Sequence, residues 1–399
     1  MSLKSDIKSK ANELGFHLVG VTSPDPPLHF DVYTKWLEAG HHAEMAYLAT
    51  ERALDRRSDP RIILPECRSV LVLGMHYPAN PFSYAGENET NQGEMGNGDG
   101  GTSKPGAIPQ GKVASYAWGA DYHDVLPERM SALVEFIEIQ AGHVVPNRWY
   151  TDSGPILERD FAQRAGLGWI GKNTCLINPR TGSYFLLAEI LLGIELEPDP
   201  PFTSDHCGTC TRCLDACPTG CILPDRTIDA RNCISYLTIE LKHAVPVELR
   251  SQTGNWVFGC DICQQVCPWN RRFAPAAGDP AFTARPGLPK PDLIEELTLS
   301  PEAFNKKFRG SSLKRAKRRG YLRNVAVALG NSADTSAIPA LTHSLLNDPE
   351  PLVRSHAAWA LGKIGGEIAM ETLIQSAGTE ENELVSAEIQ AALNNVHAI

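Results

Sequence analysis

The sequence predicts an α/β N-terminal domain, a compact cysteine-rich middle and an α-helical repeat at the C-terminus. Three observations carry that division. A buried-strand run and a long helical pattern share the first 200 residues. Nine of the eleven cysteines fall within residues 203–275. "RNVAVALGN" (323–331) returns as "SHAAWALGK" (355–363). A chain of 399 residues has room for two or three such domains with proper cores.

In the first part, residues 1–200, "SVLVLGMHY" (69–77) reads as a buried strand, and "HDVLPERMSALVEFIEIQ" (123–140) spaces its apolar residues as a helix does. Between them, residues 80–111 are rich in Gly, Asn, Ser and Pro, a composition that builds no packed element and predicts a long mobile loop. The N-terminus "MSLKSDIKSKANELGF" lacks the apolar core of a secretory signal. "SYFLLAEILLGIELE" is short and broken by Glu189, so no membrane span is expected. A cytoplasmic location follows, where clustered cysteines point to metal more than to disulfides.

"PDPPF" (198–202) marks a boundary, and the middle part is placed at 201–280. Its first run, Cys207-x2-Cys210-x2-Cys213-x3-Cys217-Pro218, has the spacing of bacterial ferredoxins, where three cysteines grip one cubane and the fourth reaches a second. The second run, Cys260-x2-Cys263-x3-Cys267-Pro268, is one ligand short, because Val257 stands where its first cysteine is expected. Cys233 is the candidate substitute. Crossing the fourth ligands as two-cluster ferredoxins do gives one [4Fe-4S] set of Cys207, Cys210, Cys213 and Cys267. The other takes Cys217, Cys233, Cys260 and Cys263. Paired CxxC motifs also make zinc ribbons, but the x3-Cys-Pro ending and its repetition favour cubanes. Cys67, Cys175 and Cys221 remain, and for each a buried apolar role is the default.

The last part, 281–399, joins a basic connector to paired-helix repeats. Leu329, Leu361 and Leu393 recur every 32 residues, which resembles a HEAT-like array. Net charge is −10, yet "KKFRGSSLKRAKRRGYLR" (306–323) holds nine Lys/Arg and no acid, leaving 28 basic against 47 acidic residues elsewhere. One basic patch on an acidic body can bind phosphates; it can equally be a solvated helix face.

A carrier of electrons alone leaves the first 200 residues unexplained. The informative block there is "WYTDSGPILERDFAQRAGLGWIGKNTCLINPRTGSYFLLAEIL" (149–191). It has neither GxGxxG in a strand–helix context nor a Walker pattern. Together with "RRSDPR" (56–61), "YAWGADYHDVL" (116–126), "CDICQQVCPWN" and the repeats, it closely resembles the epoxyqueuosine reductases. These are cobalamin-dependent iron–sulfur enzymes that complete the tRNA wobble nucleoside queuosine. The resemblance spans essentially the whole chain.

It implies that the N-terminal domain binds cobalamin (B12), that two clusters feed it electrons, and that an epoxide is reduced to an alkene. Asp152 matches the family's proton donor; read from spacing alone it would cap a helix starting near Pro155. For cobalamin the resemblance implies Arg57, Ser115, Tyr116, Asp152, Lys172, Asn173, Ser235 and Asp261. For the tRNA anticodon stem-loop, Lys242, Arg315, Lys317, Arg318, Arg319 and Arg323 are expected on the basic surface. A monomer served by an unidentified reductant protein is expected. Two rival readings are a reductive dehalogenase for small halogenated molecules and a non-enzymatic RNA-binding adaptor. The basic repeat part argues against the first, and the "TDSGP" block against the second.

Overall fold

A computed structural model describes residues 2–79 and 108–396. Most of the loop expected over 80–111 lies outside them. Among the described residues the strands are β1 (Leu18–Thr22), β2 (Ser69–His76), β3 (Lys112–Val113), β4 (Asn147–Tyr150), β5 (Trp169–Ile170), β6 (Leu176–Ile177), β7 (Phe185–Leu192) and β8 (Trp256–Phe258). The chain forms two compact units that interleave in sequence, where composition drew three consecutive domains. The first joins the residues up to 79 with Ser115–Arg231 and Asp261–Thr283; the second joins Asn232–Cys260 with 108–114 and 284–396.

The first unit is built on a four-stranded sheet in the order β1-β2-β7-β4. Every pairing in it is antiparallel, so the expected α/β class is realised without parallel crossovers. All eight residues of β2 are buried, because helices cover both faces. Leu71, Leu73 and Met75 point into a core with Ile7 and Ala11 of the helix Leu3–Glu13 and with Leu126, Met130 and Leu133 of the helix Tyr122–Ala141. Val70 and Val72 point the other way, to Phe161 and Ala162 of the helix Glu158–Arg164. A period of two on a sheet covered twice explains why the run reads as uninterrupted apolar sequence.

The C-terminal part of the second unit is a succession of helices, Lys317–Ser332, Ile338–Asn347, Pro351–Ile364, Glu367–Ala377 and Glu383–Val396. Leu329 and Leu361, one repeat apart, are fully buried. The glycine after each has the same task. A Cβ on Gly330 would lie 2.6 Å from Trp359, and one on Gly362 would lie 2.6 Å from Ala392. The repeated "ALG" is therefore a close-packing device between successive helices. Among the described residues no helix is long and apolar enough to cross a membrane.

Candidate active site

β4 ends at Tyr150, and the chain turns sharply before the helix Glu158–Arg164. Asp152 sits in that turn with φ +57, a left-handed conformation that a non-glycine residue keeps only when held. Three contacts hold it. Its N–H donates to Glu158 Oε1 at 2.6 Å, and Thr151 Oγ1 donates to the Leu187 carbonyl of β7 at 2.8 Å. Gly154 lies so close to Tyr150 that a Cβ there would come within 2.5 Å of the ring side chain. The turn has one well-defined shape.

That shape presents the Asp152 carboxylate outward, its side chain 65% exposed. Tyr122 Oη donates to Oδ2 at 2.8 Å, and His123 Nε2 lies 3.4 Å from the same oxygen. Both come from the first turn of the helix Tyr122–Ala141, whose N-cap is Asp121. His123 Nδ1 reaches Asp121 Oδ1 at 2.9 Å. Its hydrogen bonds to Asp121 and Asp152 push its pKa up to about 9, so it is an imidazolium at neutral pH. Burial pushes the Tyr122 hydroxyl well above its usual value, keeping it a donor. The capping role for Asp152 does not arise: Leu157 occupies the N-cap position of the following helix, and its side chain makes no capping bond.

Beneath this turn lies a ring of tyrosines. Tyr116 stands edge-on to Tyr77 at 6.5 Å and to Tyr122 at 6.0 Å. Beside it, the Ser115 N–H donates to Asp261 Oδ2 at 2.7 Å, and the buried Ser115 hydroxyl faces the same carboxyl. Burial lifts the Asp261 carboxyl to about 6. Arg57 donates to the carbonyls of Ala53 and Gly154 and lies over the Tyr33 ring.

The same unit contains a cavity of about 160 Å³ lined by Cys207, Cys210, Cys213 and Cys267, the four cysteines of the first expected set. Trp169 Nε1 donates to Cys207 Sγ at 3.4 Å, and Trp269 packs edge-on to Trp169 at 5.0 Å. That cysteines of both runs line one cavity is what the crossed ligand set of a two-cluster ferredoxin requires. Of the second set, Cys217 and Cys263 belong to the first unit, and Cys233 and Cys260 to the second. Cys221 is buried with its sulfur 3.4 Å from that of Cys217.

Two of the residues expected at cobalamin lie among the cysteine loops. Lys172 donates to the carbonyls of Gly208 and Cys210 at 2.8 and 2.9 Å, and the buried Asn173 donates to the Cys263 carbonyl at 3.4 Å. Both brace the cysteine loops. Ser235 is half-buried in the first turn of the helix Ile234–Ile239 in the second unit.

Two of the arginines expected on the tRNA surface are engaged within the protein. Arg323 is fully buried, donating to the carbonyls of Leu237, Leu241 and His243. Arg318 is spent on the Leu299 carbonyl and both oxygens of Asp348. Lys242, Lys317 and Arg319 are exposed, and Arg315 is exposed while paired to Glu240.

Sequence reading missed Tyr122, Glu158 and Glu189. Glu189 did leave a trace, as the one acid inside an otherwise apolar strand. It is fully buried on β7, opposite Val72 and Tyr150.

Family models match over three stretches: "Epoxyqueuosine reductase QueG, DUF1730" at 57–153, "4Fe-4S double cluster binding domain" at 206–270, and "HEAT repeats" at 312–394. The epoxyqueuosine reductase of Pseudomonas aeruginosa is 41% identical over 91% of this chain and 95% of its own. The chain belongs to the epoxyqueuosine reductase family. Its fold agrees with a crystal structure of epoxyqueuosine reductase holding a tRNA-Tyr epoxyqueuosine-modified stem loop, at a TM-score of 0.86, 32% identity and 99% coverage of both chains. It also matches the Bacillus subtilis epoxyqueuosine reductase, solved with an aspartate-bearing catalytic loop swung out of the active site, at 0.84, 32% identity and 98% of both chains. Within this family, the double-cluster domain accounts for the two cysteine runs.

Proposed function

We propose that this chain reduces epoxyqueuosine to queuosine at the wobble position of tRNA, the last step of queuosine formation, with Asp152 giving a proton to the departing oxygen. The observation that carries this reading is the held Asp152 turn, displayed in the same unit as the cysteine-lined cavity. Removing an epoxide oxygen as water takes two electrons and two protons. When bound, cobalamin and two [4Fe-4S] clusters supply the electrons. The residues fit such groups. The four cysteines line one cavity, and the buried polar pair Ser115 and Asp261 beside Tyr116 suits an amide-rich ligand.

Arg57, Ser115, Tyr116, Ser235 and Asp261 would hold the cobalamin. The second cluster would rest on Cys217, Cys233, Cys260 and Cys263. Asp152 is solvated and accepts a bond from Tyr122, which suits its anion; a substrate seated on the turn buries the carboxyl and favours its acid form. Tyr122 then fixes the direction in which that acid points. Lys242, Arg315, Lys317 and Arg319 would hold the phosphates of the anticodon stem-loop, and a splayed wobble base would enter the site. In this reading residues 1–200 carry cobalamin and catalysis, 201–280 the clusters, and 281–399 the tRNA surface, in a cytoplasmic monomer. The resolved complex of a relative with a modified stem loop supports the substrate assignment.

The test is anaerobic turnover of the reconstituted protein with cobalamin, a strong reductant and epoxyqueuosine-bearing tRNA, followed by nucleoside mass analysis. Cobalamin-dependent loss of one oxygen is expected. No conversion, with iron and cobalt verified in place, would refute the reading.

A further inference from the structure

Glu158 and Glu189 have no place in the mechanism above, yet Glu158 is bonded to the Asp152 backbone and Glu189 pairs in register with Tyr150, the last residue of β4 before the turn. Glu158 Oε1 accepts the Asp152 N–H at 2.6 Å, so the one residue between β4 and the next helix with a left-handed backbone is tied by a side chain six positions on. Glu189 lies mid-strand in the central sheet, fully buried, and its carboxyl meets that of Glu158 side chain to side chain. Two adjoining buried carboxyls cannot both stay ionised cheaply, so Glu189, fully buried on the sheet, is the neutral acid with a proton to offer Glu158. Burial and the neighbouring Glu158 push its pKa well up. Burial, then the charge of Asp152, lifts Glu158 to about 7, with Arg159 pulling the other way. The other titratable groups facing this corner are Tyr122 and His123, both bonded to Asp152.

We propose that Glu158 and Glu189 act as one carboxyl pair that positions the Asp152 turn for the reaction. The neutral acid on the rigid sheet steadies the Glu158 carboxylate, and Glu158 in turn holds the Asp152 backbone. The pair is costly to the fold and useful to the turn, the kind of strain a site keeps for function. This inference rests on Asp152 being the proton donor.

The sign of its pH effect follows from the raised pKa. Glu158 is about 7 in the folded chain against 4.5 ordinarily. The fold therefore binds the proton more tightly than the unfolded chain does, and stability from this group drains as pH rises through that window. Replacing Glu158 by Gln removes the drain.

Four measurements on holoprotein test it. E158A is expected to lower kcat about tenfold with KM for tRNA within about twofold, and E158Q, which keeps an oxygen for the Asp152 N–H, to regain at least half of that loss. The parent's rate falls on the acid side near pH 7 as Glu158 protonates, and E158Q lacks that limb. E158Q and E189Q both melt higher than the parent at pH 8, with the gap closing at pH 5. An unchanged kcat in E158A, or a parent-like acid limb in E158Q, overturns the pair; so does a pH-independent gap. D152N separates the two readings: full activity there removes the proton donor, while the melting experiment still judges the pair.

Discussion

The Tyr122 hydroxyl donates to the Asp152 carboxylate across 2.8 Å, joining the first turn of one helix to a strained turn after β4. The bond runs between elements 30 residues apart in sequence, and it fixes a side chain that is otherwise mostly solvated. Tyr122 to Phe removes only this donor. We expect turnover to fall about tenfold, the scale of one hydrogen bond to a charged group, with iron content and tRNA affinity unchanged. Steady-state kinetics on modified tRNA would measure it, and an unaltered kcat would mean that the backbone and His123 suffice to hold Asp152.

The cysteine cavity makes a sharper demand, because Cys267 lines it although it ends the second run rather than the first. Cys267 to Ala should cost about one cubane of iron and leave the other cluster's spectrum in place. Cys221, buried 3.4 Å from Cys217 but outside both sets, serves as the control, and its replacement by Ala should leave iron content intact. Iron analysis and electron paramagnetic resonance of the two variants decide it. Loss of iron in the Cys221 variant would make that thiol a ligand and break the crossed assignment.

Two arginines four residues apart in the basic run should behave oppositely. Arg323 is fully buried and serves three carbonyls, so Arg323 to Ala strands them and should cost roughly 3 kcal/mol of stability. Arg319 is exposed on the same helix, and its loss should leave stability within about 0.5 kcal/mol. In tRNA binding the order reverses: Arg319 to Ala should lower the salt dependence by about one phosphate contact. Melting curves and salt titrations of stem-loop binding separate the two, and equal salt slopes for Arg319 variant and parent would remove it from the surface.

These residues also mark where sequence reading reaches and where it stops. The Cys spacing and the "ALG" repeat are local signals, set by chemistry within a few residues, and each could be placed before any fold was known. A basic run is legible only as charge. Which of its nine cations turn inward depends on carbonyls at 237–243 and on Asp348, far away in the chain. The same holds at the site. Asp152 is visible through its motif, but its partners come from a helix at 122 and from Glu158, and the turn is pinned to β7 at Leu187, which only the fold brings together. The motif marks Lys172 and Asn173 as cofactor candidates, but only the fold shows that their donors also reach the carbonyls of the cysteine loops.

The repeat unit offers a pH probe of its own. His356 is fully buried, with Nε2 accepting the Val245 N–H at 3.2 Å and Nδ1 donating to the Leu352 carbonyl at 2.8 Å. Both nitrogens are satisfied only in the neutral ring. Burial first, then the charges of Arg250 and Arg323, push its pKa well below 6.5. Its contribution to stability is therefore complete above 6.5 and drains as pH falls, because the unfolded chain takes up a proton that the folded site refuses. His356 to Gln should lower the melting temperature at pH 7.5 yet decline less steeply than the parent toward pH 5.5. Parallel declines in calorimetry would show that His356 does not stay neutral in the fold, and the bond to Val245 would have to be made by a charged ring that cannot accept it.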